Sequence, residues 1–294
     1  MTWNLFHGRD GLPGLGATPR STWLGLPEED GVHVHLNRKL HDLMAARIRA
    51  WAPDVCALQE VSRRGLRELA ARTGMRAVWT STGPLLGPAW LRDALAARNP
   101  DLWRTHESNL NALLVASRLA LVPGGRRAVR LNPPRAILRD TRELRLTRGE
   151  LARWIPEPRR AVIARVRLPG GGSLTVATAH YHNSRHPEVV GREIARAALA
   201  VAETAAGGPA VLAGDLNAPP SHPALAALAA AGWEGAAPGG GVGIDRILHL
   251  GLETVEPPHR LDAREREVCV RWGDRARLLR LSDHDPVVAV LRAI

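Results

Sequence analysis

Near the end of the chain, the stretch Leu281-Ser282-Asp283-His284-Asp285-Pro286-Val287-Val288 joins a polar segment directly to an apolar one. Proline is tolerated at the first position of a strand, and residues 287–291 have the apolar pattern of a buried strand. We therefore expect Asp283 and His284 to lie at the entry to a core strand, where a rigid element holds polar groups in place. An ordinary turn before a strand uses the same residue types, so this stretch alone leaves both interpretations open.

Other predicted strands also carry an acid, an amide or an imidazole at or near one end. Strands are predicted at residues 1–6, 54–61, 109–116, 160–168, 173–181, 209–213, 242–248 and 287–291. Their polar side chains are Asn4, Glu60, His180, Asp215 with Asn217, Asp245, and Asp283 with His284. A polar group in a core strand needs a partner or a function, so these residues form the candidate site.

Glycine, proline and helical spacing organise the rest of the chain. Residues 169–172, Pro-Gly-Gly-Gly, predict a hairpin, and Ser62 is placed to cap a helix that runs to residue 72. Further helices are predicted at residues 37–51, 188–206 and 221–231. Residues 7–31 and 126–158 are expected to be irregular, the second range as a surface insertion, and residues 249–280 are poorly defined. Because the strands are spread evenly, we expect a single domain over residues 1–294.

The chain is strongly basic. It has 294 residues and a formal net charge of +11, and Lys39 is its only lysine. Such a charge attracts polyanions, nucleic acid among them. Ala, Arg, Gly and Pro are all abundant, as a GC-rich coding sequence would produce, so the charge favours an anionic partner only weakly.

The cysteines, histidines and apolar runs argue against a disulfide-stabilised, a zinc-binding or a membrane-spanning protein. Cys56 and Cys269 both lie among apolar residues, which predicts two buried free thiols and no disulfide. The histidines at positions 7, 33, 35 and 41 match no zinc spacing and are expected at the surface, and the tryptophans are expected in packing roles. No apolar run has the length of a membrane span, and the first residues lack a leader pattern. We expect a cytoplasmic, monomeric protein.

The residue types of the candidate site suit one kind of chemistry. Carboxylate and amide oxygens are ligands for a hard cation such as Mg²⁺ or Mn²⁺. Histidines beside carboxylates are oriented, or kept protonated, by the acid. Hydrolysis of a phosphate ester uses a cation to neutralise phosphate oxygens, a base to prepare water, and an imidazolium to stabilise developing charge. No Ser or Cys nucleophile stands out, whereas the carboxylates, amides and histidines supply all three of these groups, so we expect a phosphoester substrate.

Seven short stretches, in chain order, resemble the endonuclease/exonuclease/phosphatase family. They are Thr2-Trp3-Asn4, Leu58-Gln59-Glu60-Val61, Asn111-Ala112-Leu113-Leu114, Ala177-Thr178-Ala179-His180, Gly214-Asp215-Leu216-Asn217, Ile244-Asp245-Arg246-Ile247-Leu248 and Ser282-Asp283-His284-Asp285-Pro286. The resemblance spans almost the whole chain. It implies an α/β fold, a four-layer α/β/β/α sandwich of two mostly antiparallel sheets with outer helices, and a site at one end of the sandwich.

The resemblance also implies which residues hold the metal and prepare the water. Glu60 would be the principal ligand of the ion, with Asn4 and Asp283 close to it. Asp215 would orient or deprotonate the attacking water and could contact a second ion.

The remaining residues would bind the phosphate group. Asn217 would hold a phosphate oxygen, and His284 would contact the phosphate while Asp245 orients it and keeps it charged. His180 would be a second phosphate contact or the acid for the leaving oxygen. Tyr181, beside it, is a weaker candidate for substrate contact.

The substrate is less well defined than the chemistry. Phe6 stands where abasic-site endonucleases of the family carry an acid, and Ala218-Pro219 replaces the arginine-bearing continuation typical of inositol phosphatases. The resemblance and the charge together favour a Mg²⁺- or Mn²⁺-dependent phosphodiesterase or nuclease that acts on nucleic acid or nucleotides. The alternatives are a phosphomonoesterase, a phospholipid- or sphingomyelin-type phosphodiesterase, and a non-catalytic nucleic-acid-binding module on the same fold.

Overall fold

The structure, a computed structural model, describes residues 1–11, 26–36, 39–82, 88, 90, 109–155, 157–236 and 243–294, with backbone only at 152 and 153. In these residues the strands are β1 (Thr2–Asn4), β2 (Asp10–Gly11), β3 (Glu28–Asp30), β4 (His33–His35), β5 (Val55–Val61), β6 (Arg76–Ser81), β7 (Leu110–Val115), β8 (Ala120–Arg130), β9 (Arg160–Arg167), β10 (Ser173–His180), β11 (Ala210–Asp215), β12 (Asp245–Leu250), β13 (Leu252–Arg260), β14 (Glu267–Trp272), β15 (Arg275–Leu281) and β16 (Val287–Ala293). The helices are α1 (His41–Trp51), α2 (Arg63–Thr73), α3 (Pro134–Leu144), α4 (Arg148–Trp154), α5 (Pro187–Ala205), α6 (Pro223–Ala230) and α7 (Ala263–Arg266), and a 3-10 turn covers Phe6–Gly8.

Most strands belong to two large, mostly antiparallel sheets. The first has the order β13-β16-β1-β5-β7-β6, and the second has the order β12-β11-β10-β9-β8. The parallel neighbours in these sheets are β1 with β5 and β10 with β11. Strands β14, β15, β4 and β3 form a smaller third sheet, and β2 pairs with β15.

Buried apolar side chains join the two large sheets to each other and to the helices. Leu113 of the first sheet and Val176 of the second belong to one buried cluster, so the inner faces of the two sheets pack together. Met44 and Ile48 of α1 belong to a second cluster, with the other face of the first sheet. Ile194 of α5 belongs to a third, with the other face of the second sheet. The predicted α/β class is therefore confirmed.

Local signals in the sequence account for several helix boundaries. Ser62 accepts a hydrogen bond from the amide of Gly65 at 2.9 Å, which confirms the predicted N-cap of α2. The predicted helices at residues 37–51, 188–206 and 221–231 correspond to α1, α5 and α6. Among the described residues, no helix combines the length and the apolar character needed to cross a membrane.

Three regions differ from the sequence prediction, and the first is residues 7–31, which were expected to be irregular but contain the short strands β2 and β3. Residues 126–158, expected to be irregular, contain the end of β8 followed by α3 and α4. Helix α3 has a proline in its first turn, where no amide partner is needed, and Thr147 and Glu150 form a capping box on α4. Residues 249–280 contain β13, β14 and β15, which have few continuous apolar runs because one face of each is exposed. Residues 12–25 of the predicted loop lie outside the described residues.

Several side-chain predictions also need correction. Cys56 is buried, but Cys269 lies exposed on β14, so the prediction of two buried thiols is wrong for one of them. His35 and His41 are buried and not at the surface, because each has a carboxylate partner: Asp10 at 3.1 Å and Glu68 at 3.1 Å, respectively. Trp79 is 42% exposed and does not belong to the core.

Candidate active site

Strand pairing brings three polar residues to the same level at one end of the second sheet. His180 at the end of β10 lies opposite Asp215 at the end of β11, and Asp215 lies opposite Asp245 at the start of β12. Adjacent strands are separated by only about 5 Å. The polar strand ends recognised in the sequence therefore meet, because these three strands are neighbours in the sheet.

Gly214 allows β11 to approach β10 closely just before Asp215. A Cβ atom at this position would lie 2.1 Å from the carbonyl oxygen of Ala179 on the neighbouring strand. Glycine has no Cβ and avoids this clash. The glycine that precedes Asp215 is thus required by the packing of the strand that presents the acid.

A β-bulge presents Glu60. Leu58 pairs with Ala112 and Val61 with Leu110, so two residues of β5 face one residue of β7. Bulges of this kind bend a strand and redirect a side chain. Glu60 has a φ of 51°, which costs a residue with a side chain about 1–2 kcal/mol. Surrounding contacts hold this backbone conformation at the candidate site.

Asn4 connects β1 to the second sheet through Asp215. Its Nδ2 donates to Oδ2 of Asp215 at 3.1 Å, and its Oδ1 accepts from the amide of Phe6 at 3.1 Å. Asn4 is 1% exposed and is therefore a buried polar group with both functions satisfied. The side chain joins the two sheets at their common end.

His284 is held against Asp245 by a short hydrogen bond. The two side chains are 2.7 Å apart between Nδ1 and Oδ2. The backbone of His284 is fixed as well, since its amide donates to Oγ of Ser282 at 3.2 Å and its carbonyl accepts from Nε1 of Trp3 at 3.2 Å. Burial lowers the pKa of His284, but the hydrogen bond and the charges of Asp245 and Asp215 outweigh burial and raise that pKa to about 10. The imidazole is therefore a cation at neutral pH.

Asp215 lies between two histidines. Its Oδ2 is 3.4 Å from Nε2 of His180 and 3.8 Å from Nε2 of His284. Burial raises the pKa of Asp215, and the negative charge of Asp245 raises it further, although His284 and the amide donors of Asn4 and Asn217 act in the opposite direction. A carboxylate whose pKa is raised in this way is a stronger base than an exposed aspartate.

His180 bridges Glu60 and Asp215 but is neutral. Its Nδ1 is 3.5 Å from Oε1 of Glu60, and its Nε2 faces Asp215. Burial lowers the pKa of His180 to about 3, and the positive charge of nearby Arg159 contributes, despite the opposing charge of Glu60.

His7 is a site residue that the sequence prediction missed. Its Nε2 lies 3.3 Å from Oε2 of Glu60, and the residue is 9% exposed, so the expectation of a surface histidine is wrong. Burial raises the pKa of Glu60, but the charges of His7, His180 and His284 outweigh it and lower that pKa to about 2. No local motif marks His7; only its position three residues after the end of β1 relates it to the site.

Residues 1–284 match the model of the endonuclease/exonuclease/phosphatase family. The chain belongs to this family. Endonuclease/exonuclease/phosphatase proteins are phosphoester hydrolases, and the predicted family and enzyme class are confirmed. No curated protein matches the sequence.

Solved structures of distant relatives share the fold. An endonuclease/exonuclease/phosphatase from Beutenbergia cavernae is 20% identical with a TM-score of 0.60, over 99% of this chain and 70% of that chain. A mannosyl-6-phosphatase from Bacteroides thetaiotaomicron is 14% identical with a TM-score of 0.59, over 85% of this chain and 90% of that chain. The human Nocturnin catalytic domain with bound sulfate anion is 16% identical with a TM-score of 0.54, over 73% of this chain and 76% of that chain. At these sequence identities the comparison shows only that the fold is shared.

Members of the family generally depend on a divalent metal, and two groups of residues in this member offer ligand atoms for one. Asp215, Asp245 and His284 each have a ligand atom within 4.8 Å of those of the other two. Nδ1 of His284 is already hydrogen-bonded to Asp245, so a cation bound to that nitrogen would have to displace a proton. The second group is Glu60 with Asn4 and Asp283, whose oxygen atoms suit a hard cation better. Oδ1 of Asn4 already accepts a hydrogen bond from the amide of Phe6, so it would contact a cation through its remaining lone pair.

Asp283 lies beside this second group. The residue as a whole is exposed, and its Oδ1 is 3.4 Å from Oγ of Ser282. Desolvation raises the pKa of Asp283, and the charge of Glu60 adds to the rise against the opposing charge of His284. The negative charge of Glu60 therefore acts on the carboxyl of Asp283.

The residues that follow His180 are buried. Tyr181 is 0% exposed, so it is not placed to contact a substrate. The ring of His182 is bonded to Glu193 at 2.6 Å and packs against Trp154. Nδ2 of Asn217 donates to the backbone carbonyl of Tyr181 at 2.9 Å, and this hydrogen bond fixes the side-chain amide of Asn217 beside Asp215.

Proposed function

We propose that this family member is a divalent-metal-dependent phosphodiesterase or nuclease that acts on nucleic acid or nucleotides. The observation that carries the proposal is the position of Asp215, which contacts both His180 and His284 while Asp245 supports His284 from behind. A base beside a fixed cation is the arrangement that water attack on a phosphate ester requires.

Glu60, Asn4 and Asp283 are the proposed metal ligands. The donor set fits Mg²⁺ or Mn²⁺, since it consists of two carboxylates and an amide oxygen and since Glu60, with a pKa of about 2, is ionised at neutral pH. A bound cation neutralises phosphate oxygens and so lowers the barrier to attack.

Asp215 is proposed to orient the attacking water and to accept its proton. Its raised pKa makes this proton transfer more favourable than it would be for an exposed aspartate. His284 is proposed to contact the phosphate as an imidazolium, because its charge then faces the negative charge that develops on the phosphate.

His180 and Asn217 are proposed to hold phosphate oxygens. The lowered pKa of His180 favours a neutral hydrogen-bond donor over an acid for the leaving oxygen. Asn217 has a φ of 48°, and its backbone amide donates to Oδ1 of Asp215 at 3.0 Å, so the side chain of Asn217 is held beside the proposed base.

The proposed substrate rests on charge. A net charge of +11 favours a polyanionic phosphodiester over a small neutral ester. A phosphomonoesterase and a phospholipid-type phosphodiesterase remain alternatives on the same chemistry. Cytoplasmic location, a monomeric state and a single domain also stay predictions.

The test is a panel of phosphoesters. The protein is incubated with bis-p-nitrophenyl phosphate, p-nitrophenyl phosphate, single-stranded DNA, RNA and phosphocholine lipids, with Mg²⁺ or Mn²⁺ and with EDTA. We expect turnover of the diester and of nucleic acid that EDTA abolishes and that Glu60→Gln reduces by about 10³-fold, since the variant lacks the main ligand charge.

Glu253→Gln is the matched control, because Glu253 is an exposed glutamate on β13, paired with Arg292 at 3.3 Å and outside the candidate site. It should retain full turnover. Faster cleavage of the monoester than of nucleic acid would support the phosphomonoesterase. Faster cleavage of the lipid would support the phospholipid-type phosphodiesterase. Folded protein that binds DNA with a steep salt dependence but hydrolyses nothing would support the binding module instead.

A further inference from the structure

The outer edges of the two large sheets form a groove lined partly by arginine. Strand β6 is the last strand of the first sheet and β8 is the last strand of the second. The groove has a volume of about 320 Å³. Its lining residues are Ala77, Val78, Trp79, Arg126, Arg127, Ala128 and Val162.

Strand register shows that some of these arginines occupy the inner face of the sheet. Arg126 lies opposite Ala164, which belongs to the buried cluster between the two sheets. Arg130 lies opposite Arg160 on the same face, four residues further along β8. Further from the edge this face carries buried apolar residues such as Val176 and Ala213, so at the edge positive charge takes the place of apolar packing.

Among the residues that the structure describes, no acid pairs with the arginines of this face. Within the described part of the chain, no salt bridge is formed by Arg126, Arg130 or Arg160. Arg127, which also lines the groove, pairs instead with Glu203 at 3.3 Å. Arginines without a carboxylate partner along a groove are the arrangement that binds the phosphate backbone of a single strand.

An exposed aromatic ring on β6 also lines the groove. Trp79 on β6 is 42% exposed, and the guanidinium of Arg63 lies 4.9 Å from the centre of its ring. Proteins that bind single-stranded nucleic acid combine such rings, on which bases stack, with a basic groove. An indole that merely filled the core would be buried.

Two further arginines lie between the groove and the candidate active site, on the same face of the sheet as Arg126. Arg160 is the first residue of β9 and follows Arg159, whose charge acts on His180. Arg130, opposite Arg160, lies on the same face of β8 as Arg126, which lines the groove, and four residues of a strand separate the two arginines by about 13 Å. A strand lying in the groove would therefore approach the catalytic residues from the side.

We propose that this edge groove binds single-stranded nucleic acid on one side of the bond to be cleaved, with phosphates on Arg126, Arg130 and Arg160 and a base on Trp79. This inference rests on the proposed nuclease function and names its substrate as a single strand long enough to reach the groove.

Binding and hydrolysis are measured separately. Fluorescence anisotropy of a labelled 15-residue oligothymidylate, in EDTA and from 50 to 200 mM NaCl, reports binding without cleavage. Arg126→Gln should reduce the slope of log Kd against log salt by about 0.7, and Arg126→Gln with Arg160→Gln by about 1.4, because each phosphate contact to a single strand contributes about 0.7. Trp79→Leu should weaken binding at least about fivefold at every salt concentration with little change in slope.

Arg275→Gln is the matched control. Arg275 is exposed on β15 in the third sheet, and its substitution removes the same charge as Arg126→Gln. It should bind like wild type, and all these variants should hydrolyse bis-p-nitrophenyl phosphate at the wild-type rate. Equal weakening by Arg275→Gln and Arg126→Gln would overturn the proposal, because net charge alone would then explain binding. Unchanged binding by Arg126→Gln would also overturn the proposal. If that variant also formed larger oligomers in gel filtration, the arginines would be assigned to protection of the sheet edges against pairing with other chains.

Failure of the proposed function gives a different result. If the wild type hydrolyses no phosphoester, but Arg126→Gln still lowers the salt slope and Arg275→Gln does not, the groove stands and the nuclease proposal fails. If the wild type cleaves oligonucleotides and groove variants bind them normally, only the groove proposal fails.

Discussion

Two histidines contact the same carboxylate from different parts of the fold, yet they differ in charge. His284, in the turn before β16, has its Nδ1 2.7 Å from Asp245, and its pKa is raised to about 10. His180, at the end of β10, has its Nδ1 3.5 Å from Glu60, and its pKa is lowered to about 3. Both rings face Asp215 through Nε2.

The difference shows that a neighbouring carboxylate does not by itself charge a histidine. Burial lowers the pKa of both rings, and the outcome depends on whether a short hydrogen bond to an acid compensates. Asp245 compensates for His284, whereas the more distant Glu60, opposed by Arg159, does not compensate for His180. One side of the site therefore supplies a cation and the other a neutral donor.

Removing the charged histidine should have the largest effect. His284→Ala should lower kcat/KM for bis-p-nitrophenyl phosphate by about 10³-fold, because it removes a fixed cation from the phosphate. Steady-state kinetics on protein shown to be folded by circular dichroism checks this. A loss below tenfold would mean that His284 does not act on the phosphate.

Removing the acid that charges this histidine should have the next largest effect. Asp245→Asn should lower kcat/KM by about 10²-fold, and the pKa of His284 should fall from about 10 toward about 6.5. NMR titration of the histidine rings in EDTA measures the pKa. The double variant with His284→Ala should lose no more activity than His284→Ala alone, because the two residues act as a unit; additive losses would contradict this.

Removing the neutral histidine should have a smaller effect. His180→Gln should lower kcat/KM by about tenfold, since glutamine keeps a hydrogen-bond donor and no charge is lost. His259→Gln, at an exposed histidine on β13, is the control and should leave kinetics unchanged. An effect as large as that of His284→Ala would show that His180 works as a cation or as an acid.

The smallest effect concerns stability. Because the pKa of His180 is about 3 in the folded state and about 6.5 in the unfolded state, the unfolded state takes up more protons as the pH falls below 6.5. Between pH 7 and pH 5 this should remove about 2 kcal/mol from the free energy of unfolding. Urea unfolding in EDTA should therefore show a smaller loss for His180→Gln than for wild type over this range; parallel losses would contradict the lowered pKa.

The sequence predicted which polar groups stand at strand ends, and most of these groups meet in the structure. Asn4, Glu60, His180, Asp215, Asn217, Asp245 and His284 form one connected set of contacts, and Asp283 is adjacent to it. This succeeded because a proline, a glycine or an apolar run marks the strand beside several of these residues. Whether each holds metal, water or phosphate stays a prediction.

The contacts of His7 and the backbone of Glu60 could not be predicted in the same way. His7 reaches Glu60 because a turn at Phe6–Gly8 brings the chain back across the end of β5, and the sequence shows only a histidine in a glycine-rich segment. The bulge that redirects Glu60 depends on how β5 pairs with β7, which lies about 50 residues further along the chain. Helices α3 and α4 were missed for another reason: their capping signals were present but were outweighed by the Arg and Pro content of that region.

The sequence by itself determined the chemical groups of the site and their order along the chain, because the residue types at strand ends are local information. Only the tertiary structure decided which of these groups are charged. Charge depends on burial and on distances of a few ångströms between residues such as His284 and Asp245, 39 positions apart, and those distances exist only after the sheets have packed.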